Sequence, residues 1–124
     1  MILIGHKLVP YTPLYKVSTV KDIKATKPNS IVLFDFSDEE LLHYCKDNEL
    51  IFSLHVKNLT EACIANALGA KFILVDEKLA IQVQNVANEY LFDSKIILHI
   101  KDEFQIEKAI KDSIDGIIFT SAII

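Results

Sequence analysis

Six short runs rich in Ile, Val, Leu and Phe punctuate the chain, at residues 2–4, 31–36, 51–56, 72–75, 96–100 and 117–120. Most show no alternation of polar with apolar positions, which is how strands covered on both faces read. Four helical stretches separate the last five runs. Ser37-Asp38-Glu39-Glu40 and Asn58-Leu59-Thr60-Glu61 each fit a capping box, in which an N-cap oxygen and a carboxylate three residues on satisfy amides reciprocally. Asp76 and Asp102 are placed to cap the other two helices. Leu79, Val83, Val86, Ala87 and Tyr90 lay one apolar face along the third helix, and Ile106, Ala109, Ile110 and Ile114 do the same on the fourth. Gly69 is placed to end the second. The region before residue 31 is less regular. Pro10 and Pro13 interrupt it, residues 14–17 read as a short extended piece, and residues 19–26 as a brief helix capped by Thr19 and Asp22.

From Ile31 onward the order is β-α-β-α-β-α-β-α-β, which demands parallel pairing with right-handed crossovers. The expected fold is one α/β domain over residues 1–124. Its sheet is expected to have five or six mainly parallel strands with helices on both faces, as in flavodoxin-like sandwiches. A half (β/α)8 barrel is the alternative. The apolar strands favour the sandwich, because a lone half-barrel would leave its inner face wet and oblige a partner chain to cover it. Ser121-Ala122-Ile123-Ile124 is apolar enough to dock on a neighbour.

An internal repeat points to chemistry. Leu54-His55-Val56-Lys57-Asn58 and Leu98-His99-Ile100-Lys101-Asp102 are two copies of L-H-[VI]-K-[ND], each where a strand hands over to a helix. Each follows an apolar run ending in aspartate, at Asp35 and Asp76. Parallel α/β folds bind ligands along the carboxyl ends of their strands. Residues two apart on a strand share a face, so His55 would lie beside Lys57, and His99 beside Lys101. One rim would thus gather Asp35, His55, Lys57, Asp76, His99, Lys101 and Thr120, an inventory suited to acid–base catalysis. His6 could join it. The same residues also suit a purely structural role, as turns, helix caps and solvated charges.

Composition narrows the field. Apolar residues make up 51% of the chain and charged residues 24%, so a packed globular core is expected rather than disorder. A net charge of −4 with no basic patch argues against nucleic acid and anionic membranes as partners. No apolar run approaches the roughly 20 residues of a membrane span. Cys45 and Cys63 fall in helices and lack a catalytic motif, so both are expected to be small, buried and reduced, with a cytoplasmic location by default. Gly5, Gly69 and Gly116 build neither a nucleotide-phosphate loop nor a nucleophile elbow, and no cofactor is implied. His55, His99, Asp35 and Asp76 could ligate a divalent transition ion, but their spacing matches no metal motif and none is assigned.

Residues Lys57-Asn58-Leu59-Thr60-Glu61-Ala62, leading through Ala67-Leu68-Gly69-Ala70-Lys71-Phe72-Ile73-Leu74-Val75, resemble a βα unit of phosphate-binding (β/α)8 barrels. Aldolases and thiamine-phosphate synthases of that group contain such units. Ile114-Asp115-Gly116-Ile117-Ile118-Phe119 is similar to the start of one of their later strands. Whole barrels of that kind need about 200 residues or more, so the resemblance implies at most a half-barrel, and it carries over no catalytic residue. A signalling receiver domain would need its lysine after its hydroxyl along the chain, whereas Lys101 precedes Thr120.

Two functions are expected. The favoured one is a non-catalytic binding or assembly module, with self-association and a small-molecule ligand as its partners. The alternative is a small-molecule lyase or isomerase with His55 or His99 as acid–base group, which requires one open pocket holding both imidazoles.

Overall fold

Right-handed crossovers that always add the next strand on the same edge put every helix on one face of the sheet. The computed structural model, which describes residues 1–124, has this arrangement. Its elements are β1 (Ile2–Ile4), β2 (Leu14–Lys16), α1 (Val20–Lys24), β3 (Ile31–Asp35), α2 (Glu39–Asp47), β4 (Phe52–His55), α3 (Leu59–Ala67), β5 (Phe72–Val75), α4 (Glu77–Glu89), β6 (Lys95–Ile100), α5 (Gln105–Lys111) and β7 (Gly116–Phe119), then a 3-10 turn over Thr120–Ala122. All seven strands are parallel, in the order β1-β7-β6-β5-β4-β3-β2.

The sheet therefore has seven strands, not five or six. The extra one is the short piece after Pro13, whose Leu14, Tyr15 and Lys16 pair with Ile31, Val32 and Leu33. Nor do helices cover both faces. A doubly wound sandwich needs a reversal of strand order at its centre, and strands β2 to β7 are laid down in unbroken succession. The result is a curled half-barrel of βα units. Helical residues from Ile23, Leu41 and Cys45 to Ala62, Ala65, Ala80, Val83, Ala87 and Ala109 join the outward-facing strand residues in one core of 23 buried side chains.

The concave face forms a second core without any α-helix. Ile4, Leu14, Ile31, Leu33, Phe72, Leu74, Ile97, Ile118 and Ala122 pack there against one another. Leu14, Ile97, Ile118 and Ala122 are all 0% exposed. The inner face stays dry because the curl brings its walls together and residues 120–124 close the seam beside β2. The Lys16 amide donates to Ile124 O at 2.9 Å, and the Ile124 amide donates to Leu14 O at 2.9 Å. Leu14 and Ile123 form a parallel bridge. Gly5 lets the seam close: at its φ of 101°, an added Cβ would lie 2.9 Å from Ala122 Cβ. With the face covered from within, the reason for requiring a partner chain falls away.

Gly116 makes the other edge possible. A Cβ there would sit 2.6 Å from Ile2 Cβ and 2.7 Å from Ile2 O, a clash that would push β1 away from its pairing with β7. Gly116→Ala is expected to cost about 1–3 kcal/mol through overpacking, read as a lower urea midpoint. An unchanged midpoint would mean that β1 does not pair there.

Local signals shift by small steps. Asp38, not Ser37, caps α2 and accepts from the Leu41 amide at 3.2 Å. Asn58 caps α3 as expected, accepting from the Glu61 amide at 2.8 Å. Asp102 caps nothing with its side chain, because a turn delays α5 to Gln105. Cys45 is buried, which pushes its thiol up to about 11 and leaves it unreactive, whereas Cys63 is exposed rather than buried.

Candidate functional site

Parallel strands all deliver their carboxyl ends to one rim, and strand alternation decides what faces inward there. Leu14, Leu33, Leu74, Ile97 and Ile118 point into the inner core. Two residues further along each strand stand Lys16, Asp35, Asp76, His99 and Thr120. Ser53, fully buried with its hydroxyl unpartnered, precedes His55 in the same way on β4. Six polar side chains, from six different strand ends, thus ring the mouth of the curled sheet. They line one pocket of about 340 Å³, with Leu33, Phe34, Leu74 and Ile123 supplying its apolar surface.

Of the residues expected at the rim, Asp35, His55, Asp76, His99 and Thr120 come together there. His55 lies between two carboxylates: its Nδ1 is 3.7 Å from Asp35 Oδ1, and its Nε2 is 3.4 Å from Asp76 Oδ1. Asp35 and His55 are register partners across β3 and β4, which fixes the first of these distances. His99 Nε2 is 2.9 Å from Thr120 Oγ1, one of the two giving the proton and the other receiving it. Asp76 is the carboxylate neighbour of both imidazoles, since its charge also acts on His99.

Lys57 and Lys101 do not join the pocket. Alternation predicts an inward direction only while the strand continues, and β4 stops at His55 while β6 stops at Ile100. The backbone has already turned at both lysines. The Lys57 amide donates to Glu61 Oε1 at 2.9 Å, and the Lys101 amide donates to Gln105 Oε1 at 2.9 Å. The repeat therefore extends to Glu61 and Gln105, and its lysines mark an exposed strand-to-helix turn. His6 is also elsewhere. Its Nε2 lies 3.0 Å from Glu103 Oε1, a hydrogen bond that holds the Glu103 carboxyl below its ordinary range.

Lys16 is the residue that sequence reasoning missed. It belongs to no ion pair, although two carboxylates stand on the same rim. The only advance signal was its spacing, two residues after an apolar Leu14 in a strand too short to stand out. No group of three or more His, Cys, Asp or Glu side chains converges in a way that could hold a metal ion. No helix is long and apolar enough to cross a membrane.

Burial lowers the titration point of His99 from the ordinary 6.5, with Asp76 opposing the shift and His55, Lys101 and Lys16 adding to it. At pH 7 this imidazole is neutral and offers one donor and one acceptor. The sign of the linkage follows. The unfolded chain takes up a proton at His99 more readily than the folded one, so the folded state is favoured above pH 6.5. That contribution is lost as pH falls through the lowered value. In an NMR titration the His99 Cε1 resonance is expected to reach its midpoint below that of an unfolded reference peptide. A midpoint at the reference would place His99 in water, and one above it would mean that Asp76 outweighs burial.

Comparison with protein-family models finds no match, and comparison with curated proteins finds none either. The likeness to phosphate-binding barrels therefore rests on the βα pattern and the curled parallel sheet, with no family evidence behind it.

Proposed function

We propose that this protein is a binding module for a small polar molecule held at the carboxyl-end rim. The observation that carries the proposal is a single pocket containing both repeat histidines, with Asp35, Asp76, Thr120 and Lys16 around an apolar floor. Its volume lies at the low end of the range typical of ligand sites, about 300–1,000 Å³. Assembly has less support, because the inner face is covered by the chain's own seam.

A fragment screen read by histidine side-chain NMR tests this. Ligands that occupy the pocket should move the His55 and His99 resonances together and leave His43 on α2 still. A library whose hits all leave both rim histidines unmoved would defeat the proposal.

The second reading is a lyase- or isomerase-type enzyme in which His55 carries a proton to and from a carbon or oxygen of the ligand. What favours it is the carboxylate near each nitrogen of the His55 ring, an arrangement that orients an imidazole. Exchange of a ligand C–H with deuterated water, lost on His55→Gln, would separate this enzyme from a passive binder.

A further inference from the structure

The polar ring is unevenly charged, and that unevenness describes a ligand. Asp35 and Asp76 stand on β3 and β5 with His55 between them, and the distances of 3.7 and 3.4 Å leave carboxylate acceptor capacity unused. Lys16, on β2, is the one ammonium lining the pocket and forms none of the protein's ion pairs. Thr120 closes the ring toward Lys16, because its segment goes on to pair with β2 at Leu14. His99 is within electrostatic reach of both Lys16 and Asp76. Lys16 stands at the strand end next to Asp35, since it pairs with Leu33, two residues before Asp35. A free cation beside a carboxylate acceptor suits a molecule that carries an anion and a donor close together. The apolar surface of Leu33, Leu74 and Ile123 leaves room for a short aliphatic remainder.

We infer that the ligand is a small carboxylate bearing a neighbouring hydroxyl or ammonium group. Its carboxylate pairs with Lys16, and its donor group faces Asp35 and Asp76 beside His55. This rests on the proposed binding function and specifies the chemistry of that same site.

Five probes built on one three-carbon skeleton test it: lactate, alanine, propionate, 2-propanol and isopropylamine, each titrated against the intact protein while the His55 and His99 resonances are followed. Lactate or alanine is expected to bind about tenfold or more tighter than any probe with only one of the two groups, the ratio that one charge-assisted hydrogen bond supplies. Which of the two binds tells hydroxyl from ammonium. Lys16→Met should bring the favoured probe down to the affinity of 2-propanol or isopropylamine, with an unchanged amide spectrum showing that the fold is intact. Propionate binding as well as lactate and alanine would overturn the donor half of the inference. Equal binding of 2-propanol or isopropylamine, or no effect of Lys16→Met, would overturn the anion half. If none of the five moves the imidazoles while fragments of other chemistry do, the inference fails and the binding function stands. If nothing moves them, both fail.

Discussion

Leu14→Ala is expected to destabilise the protein by about 2–5 kcal/mol, the range for truncating a fully enclosed leucine. Such a loss is unusual for an edge position. β2 has three residues and pairs with β3 on one side, and an inward side chain at the border of an open sheet would remain half wet. Here Leu14 is 0% exposed, packed among the inner-face residues and roofed by the bridge to Ile123. The substitution leaves a void that cannot collapse without breaking the Lys16–Ile124 and Ile124–Leu14 hydrogen bonds that close the seam. Urea unfolding followed by circular dichroism measures the effect. A cost below about 1 kcal/mol would mean that the concave face is open to water, and with it would go the apolar floor of the pocket.

Much of this architecture was legible because it is local. Strands β3 to β7 announce themselves as apolar runs, and the helices between them by caps and by 3.6-residue periodicity. Which side of the sheet the helices take is not local. Val32 and Leu33 look alike in sequence, yet Val32 meets the helices and Leu33 meets the opposite wall of the curl. A sandwich and a curled sheet both demand apolar residues at every strand position, so composition alone could not separate them; unbroken strand succession does. The same division runs through the site. Asp35, His55, Asp76 and His99 could be placed at the rim because each stands at the carboxyl end of an apolar run, the edge where parallel α/β folds bind ligands. Lys57 and Lys101 were misplaced because the turn sets in before them, a turn whose signal lay in Glu61 and Gln105 rather than in the repeated phrase. Lys16 was missed because residues 14–17 read only as a short extended piece and not as a strand of the sheet.

Asp76→Asn separates a site from a helix cap more cleanly than any other substitution at the rim. Asp76 occupies the N-cap of α4, where a structural role would have its side chain accept from an amide of the first turn. It makes no such bond. Its Oδ1 turns instead to His55 Nε2 at 3.4 Å, and its charge is the main influence raising the titration point of His99 against burial. Asparagine has the same shape and caps helices about as well as aspartate, so the stability is expected to change by no more than about 0.5 kcal/mol. Losing the charge should lower the His99 titration point further, seen in the NMR midpoint. Binding of a ligand that donates to this carboxylate should weaken about 10–100-fold, the loss of one charge-assisted hydrogen bond. If instead the affinity and the His99 midpoint stay where they were, while Asp76→Ala loses about 1 kcal/mol of stability, the value of a cap, then Asp76 serves the helix and the rim is not a binding site built around it.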